Sequence, residues 1–133
     1  MVKKTILENN YASLWYYPKE KIIHHKFHKY IFGDMFREVM TKGADIFIEK
    51  GCTKWLSDDR NNWVLKQEDV DWGDVNWGPR VIKAGWKYWA IILPDKVIGK
   101  MNMKILIDYY LKKGITIDIF EDVAEALQWL TNQ

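Results

Sequence analysis

Between Gly85 and Pro94 the chain reads Trp86-Lys87-Tyr88-Trp89-Ala90-Ile91-Ile92-Leu93, an almost continuous apolar run from Tyr88 onward. A strand with one wet face alternates apolar and polar side chains, whereas a short unbroken apolar run marks a strand covered on both faces. Pro94 has no N–H to give to a sheet ladder and ends the strand. A strand of this kind belongs at the centre of a sheet, and a doubly covered sheet needs helices packed against it. The search for those helices and for the flanking strands organises the rest of the chain.

Upstream, Tyr11 to Tyr17 is aromatic and extended, Pro18-Lys19-Glu20 makes a turn, and Lys21 to His28 resumes a strand pattern, so a hairpin is expected first. In its second strand Ile23, His25 and Phe27 share one face, and Ile22, His24, Lys26 and His28 share the other, which reads as solvated. From Phe32 to Lys50 the period lengthens: Phe32, Met35, Phe36, Val39, Met40 and Phe47 form a helical stripe that Gly51 stops. Cys52 to Ser57 is a short strand running into the polar segment Asp58-Asp59-Arg60-Asn61-Asn62. The acidic, Trp-rich stretch Glu68 to Trp77 starts a helix that Gly78-Pro79 kinks or restarts before Arg80 to Ala84.

After the apolar strand, a helix is expected from about Met101 to Lys113, ending at Gly114, followed by a strand from Ile115 to Phe120. Asp122 with Glu125 three residues on is an acidic capping box, and Val123, Ala126, Leu127 and Leu130 supply the stripe of a closing helix. The order ββαβαβαβα predicts an α/β fold: a mixed, mostly parallel sheet with an N-terminal antiparallel hairpin and helices packed on it. At 133 residues it reads as one domain over 1–133.

Composition narrows the function classes. The 20 basic and 18 acidic residues are interspersed and leave a net charge of +2, which makes no field for a polyanion, so no nucleic-acid partner is expected. No apolar run approaches the roughly 20 residues of a membrane span, the basic N-terminus reaches Glu8 before any stretch of signal-peptide length, and Cys52 is alone, all pointing to a cytoplasmic protein. Gly73, Gly78 and Gly85 are too dispersed for a phosphate-cradling loop, so no nucleotide-dependent chemistry and no cofactor is expected.

The residue groups that can carry recognition are few. Asp58, Asp59 and Arg60 sit where a parallel strand ends, the edge on which open α/β sheets place ligands. Two carboxylates beside a guanidinium either orient a polar ligand or tie the loop to helix termini. His24 and His28 on a strand lie roughly 13 Å apart, far beyond joint coordination of a metal. Trp63, Trp72, Trp77 and Trp86 are interleaved with Asp69, Asp71 and Asp74, and eight Trp in so short a chain exceed what a small core needs. Indoles flanked by acids either form the core side of a kinked helix or line a pocket for an apolar or cationic ligand.

Several phrases carry a family resemblance: Trp55-Leu56-Ser57-Asp58-Asp59-Arg60-Asn61, Trp77-Gly78-Pro79-Arg80 ahead of Ala84-Gly85, and Phe120-Glu121-Asp122-Val123-Ala124-Glu125-Ala126-Leu127-Gln128-Trp129-Leu130. Together with the element order they resemble the STAS-type fold of anti-sigma-factor antagonists, and within it the small stand-alone bacterial SpoIIAA-like proteins. The resemblance implies a non-enzymatic signalling domain that binds a protein partner, a nucleotide or a small apolar molecule, often as a dimer. The antagonists' phosphorylated Asp-Ser pair is absent: the corresponding region reads Ser57-Asp58-Asp59-Arg60-Asn61-Asn62, with Ser57 only a remote substitute. The expected function is therefore a non-catalytic interaction module, binding at a strand-end rim built from Asp58, Asp59, Arg60, Asn61, Trp63, Trp72, Trp77 and Arg80. The alternatives are a carrier or sensor holding a small apolar ligand between the Trp-rich segment and the sheet, and, more remotely, an enzyme using the acidic loop. An enclosed apolar cavity lined by Trp72 or Trp77 would favour the carrier, and a flat exposed patch a partner.

Overall fold

The computed structural model describes all of residues 1–133. Six strands form one sheet in sequential order: β1 (Lys4–Glu8), β2 (Ala12–Tyr17), β3 (Ile22–Phe27), β4 (Lys54–Asp58), β5 (Tyr88–Ile92) and β6 (Thr116–Phe120). β1, β2 and β3 pair antiparallel, and β3 to β6 run parallel. The helices are α1 (Gly33–Glu49), α2 (Gln67–Trp72), α3 (Gly78–Lys83), α4 (Val97–Lys112) and α5 (Val123–Thr131). The fold is thus the expected α/β one, with a mixed, mostly parallel sheet. No helix is long and apolar enough to cross a membrane.

The two faces of the sheet are covered unequally. On the larger face Leu14, Ile23, Trp55 and Ile91 pack with Phe36, Val39, Phe47, Val81 and Met103 in one core of 24 buried residues. On the smaller face Tyr17, Ile22, Leu56 and Ala90 meet Ala126 and Leu130 of α5 in a cluster of six. Trp55 is the largest fully buried side chain. Burying about 150–250 Å² of indole at roughly 25 cal/mol/Å² contributes on the order of 4–6 kcal/mol before entropy is subtracted. α1 lies close enough on this ring that Gly43 has no room for a side chain: a Cβ there would come 2.5 Å from the Trp55 ring. At its end α1 passes through Gly51, whose φ of +66° is open to glycine and strained for most other residues.

Four expectations need correcting. The hairpin is preceded by β1, an edge strand with charged ends and an irregularity between Thr5 and Leu7 that hides its alternation. The apolar strand, β5, is buried as expected but is next to the edge strand β6, not at the centre. The supposedly solvated face of β3 is covered: Ile22 and His24 are buried, His24 beneath Trp15 and Tyr17. Finally, α4 begins at Val97, directly after the Pro94-Asp95-Lys96 turn and ahead of the expected Met101.

The Trp-rich segment is a single helical run interrupted by one π turn, Gly73–Trp77, between α2 and α3. There the Gly78 N–H reaches back five residues to the Gly73 carbonyl. Pro79 explains the wide turn, because without an N–H it cannot continue an ordinary helical ladder. The extra residue swings Trp77 inward to rest against Trp55, 5.0 Å between ring centroids, and against Trp86 at 5.1 Å.

Candidate functional site

The π turn, α1 and α4 roof over the larger sheet face and leave a cavity of about 50 Å³. Eleven of its 17 lining residues are hydrophobic, Trp72, Trp77 and Trp89 among them. Its polar groups come from two parallel strands and the helical roof. His25 of β3 stands beside Ser57 of β4 in register, and Asp59 follows two residues after Ser57 on the same face. Asp69 of α2 and Asp74 of the π turn complete the set.

His25 is fully engaged. The Trp55 indole N–H donates to its Nδ1 at 3.0 Å, which leaves the proton on Nε2, and Nε2 lies 2.9 Å from Asp59 Oδ1. One tautomer satisfies both bonds: Nδ1 accepts and Nε2–H donates to the carboxylate. The side chains of His25 and Asp59 are only 3% and 5% exposed, so the pair is a buried polar unit on an otherwise apolar floor. Asp59 Oδ2 has no protein partner. The Trp89 indole donates to Ser57 Oγ at 2.8 Å, so the serine hydroxyl proton is still available to a third group.

The roof has its own polar pairs. Asp69, 1% exposed, accepts from the Gly33 amide at 2.9 Å and from Arg37 at 3.4 Å, tying α2 to the start of α1. Tyr110 of α4 donates to Asp74 at 3.3 Å. Burial raises the Asp74 carboxyl above its ordinary range, the Tyr110 bond opposing this and Asp71 adding to it. Burial likewise raises the Tyr110 hydroxyl, with Asp74 reinforcing the shift. The Trp77 indole N–H is buried without a partner. No lysine or arginine lines the cavity, but Arg37 pairs with Asp69 from behind and lies over the Trp72 ring, so Asp59 and Asp74 are the lining carboxylates without a cationic arginine or lysine partner.

Neighbouring Asp58 belongs to the other sheet face. Arg60 donates to it through Nε at 3.0 Å and through an Nη at 2.7 Å. Burial alone would raise the Asp58 carboxyl, but the Arg60 hydrogen bonds and charge outweigh it and hold the group below its usual range. Arg60, Asn61 and Trp63 then line a second recess, an open cleft of about 550 Å³ shared with Tyr30, Phe32 and Lys96.

The expected site residues therefore separate. Asp59, Trp72 and Trp77 meet in the cavity; Arg60, Asn61 and Trp63 meet in the cleft; Asp58 is the ion-pair partner beneath Arg60. Arg80 lines neither recess and pairs with Asp45 at 2.9 Å on the surface. Trp86 is core, its N–H bonded to the Tyr88 carbonyl. Asp69 and Asp74, expected among the acids flanking the indoles, do line the cavity, and Ser57, weighed only as a remote phosphorylation substitute, lies there too, whereas His25 and Tyr110 were not singled out as site residues. For His25 a signal existed, since alternation already set a polar ring between Ile23 and Phe27 on the apolar face. Tyr110 reaches the cavity through tertiary packing that no local pattern encodes.

Fold and site together define an α/β mixed-sheet domain with an acidic, aromatic cavity between its helical layer and the carboxyl halves of its parallel strands. Comparison with protein-family models, with curated proteins and with solved structures finds no match.

Proposed function

We propose that the chain is a non-catalytic binding module that holds a small, mainly apolar molecule bearing one hydrogen-bond-donating head, an amine or an alcohol, in the cavity beneath the π turn. The observation that carries this reading is the buried His25–Asp59 pair on an apolar floor: its one unengaged oxygen, Asp59 Oδ2, accepts and cannot donate. A cavity walled by indoles, with Asp59 and Asp74 unpaired by any arginine or lysine, favours a cationic or neutral donor over an anion. The volume of about 50 Å³ suits about two heavy atoms, since a cavity three times as large, about 150 Å³, is what holds the six of a benzene ring. Larger ligands require the half-buried Trp72 to move.

Binding without turnover is supported by the state of the imidazole. His25 has a donor on one nitrogen and an acceptor on the other, so no lone pair is left to deprotonate Ser57. Membership of the STAS-type, SpoIIAA-like class is part of the same proposal, supported by the parallel β3–β6 arrangement and the capped closing helix at Asp122.

The test is calorimetric titration with propylamine, propanol and propanoate. Propylamine should bind most tightly and propanoate not at all, and Asp59→Asn should weaken propylamine at least tenfold while the folded spectrum is retained. Equal binding of propanoate, or propylamine affinity unchanged by Asp59→Asn, would refute the proposal.

A protein-contact role is favoured by a separate observation: α4 exposes Val97, Met101, Ile105 and Tyr109 at four-residue spacing, an apolar stripe with nothing packed on it. Native mass spectrometry would report the subunit count and any co-purified ligand together.

A further inference from the structure

The second recess differs from the cavity in size, exposure and charge. It opens at the carboxyl ends of three adjacent parallel strands: His28 to Phe32 follows β3, Arg60 to Trp63 follows β4, and Asp95-Lys96 follows β5. That rim is where open α/β sheets bind ligands, and about 550 Å³ falls within the roughly 300–1,000 Å³ of small-molecule sites.

Its walls are aromatic and basic. Trp63 is 61% exposed and Phe32 48%, so neither ring serves the core. Tyr30 lies between them, 6.1 Å from Trp63 at an interplanar angle of 27° and 5.2 Å from Phe32. Three flat side chains held together at a solvent-facing cleft form a platform on which a further ring can stack. The cations Lys29, Arg60 and Lys96 surround it, with Asp95 the one carboxylate in the lining. Asp58 orients Arg60 through two of its N–H groups, which leaves the remaining guanidinium donors for a ligand.

We propose that this cleft is a second binding site, for a small planar aromatic anion whose ring stacks on Trp63 and Tyr30 and whose carboxylate or phosphate is held by Arg60 and Lys96. The site is independent of the cavity and prefers the opposite charge. A neutral ring gains only the stacking, and a bare anion gains only the cations, so neither alone matches the whole.

Four probes separate these contributions: 1-naphthyl phosphate, 1-naphthoate, 1-naphthol and inorganic phosphate, each titrated calorimetrically into the full chain. At least one of the two naphthyl anions should bind tenfold or more tightly than naphthol and than phosphate, and which one wins identifies the head group. Trp63→Ala, a change at an exposed ring, should weaken that probe at least tenfold with the thermal midpoint little altered. Lys96→Glu should weaken it too, without affecting naphthol. Absence of binding by both anions, equal binding by phosphate alone, or affinity unchanged in Trp63→Ala would overturn the proposal. Each outcome leaves the amine site in the cavity to stand or fall on its own titration.

Discussion

Two adjacent histidines and two adjacent aspartates divide between the faces of this sheet, and their fates differ. On the larger face His25 is bonded on both nitrogens, to Trp55 and to Asp59, and the Asp59 carboxylate looks into a cavity. On the smaller face His24 bonds only Tyr17, at 3.0 Å through Nδ1, and its Nε2 is buried without a partner. Asp58 is neutralised there by Arg60. Strand alternation thus turns two dipeptides into four environments. The face with space above it keeps a polar pair available to a ligand, and the face sealed by Trp15, Tyr17 and α5 uses its polar groups for structure or strands them.

The comparison breaks most readily at His25. Replacing it with alanine leaves the Asp59 carboxyl and the Trp55 N–H both without a partner in the core, at about 1–3 kcal/mol each, which should cost about 3–5 kcal/mol in chemical denaturation. Asp59→Asn keeps an acceptor for the imidazole N–H and should cost about 1 kcal/mol. A loss under about 1 kcal/mol for His25→Ala would mean the pair is not the floor of the larger face.

His24 sharpens the contrast through pH. Burial first, then the charge of His25, lowers its pKa from the ordinary 6.5 to about 3, with Asp58 opposing the shift. The folded protein therefore keeps this ring neutral while the unfolded chain takes up a proton below about pH 6.5, so stability falls as pH falls through that window. Asp58 acts in the same direction but only at lower pH, because a depressed carboxyl gives up its contribution at and below the ordinary carboxylate range. Between pH 7 and 5 the wild-type thermal midpoint should drop, and His24→Gln should flatten that drop. A slope unchanged in His24→Gln would show the ring to be solvated.

The smallest expected effect lies at the lid of the smaller face. The Asp122 carboxylate accepts from the Glu125 amide at 2.8 Å and caps α5. Asp122→Ala should cost about 1 kcal/mol, measurable as a lower denaturant midpoint, without altering ligand binding in the cavity.

Much of this architecture is legible in the sequence because the signals are local. The α1 stripe from Phe36 onward, the doubly buried β5, the Gly78-Pro79 break and the Asp122 cap each depend on residues a few positions apart, whereas Phe32 and Met35, expected in that stripe, face solvent. The site was only partly legible. Asp59, Trp72 and Trp77 carried visible chemistry, but Asp58, Arg60 and Trp63 read as one rim with them, although a strand end points its successive side chains to opposite sides. His24 read as exposed because a polar side chain on a strand near the N-terminus looks solvated until two aromatics of the neighbouring strand, Trp15 and Tyr17, close over it. For Trp77 the sequence left core and ligand wall as alternatives, and its 7% exposure with its place in the cavity lining makes it both at once.

The most direct test follows the tryptophan indole N–H resonances in a ¹H–¹⁵N spectrum during a propylamine titration. The resonances of Trp72 and Trp77, above the Asp59 carboxylate, should shift and saturate together, while those of Trp15 and Trp129 on the smaller face stay still. Uniform shifts over both sets, or none at Trp72 and Trp77, would contradict a donor-selective cavity confined to the larger face.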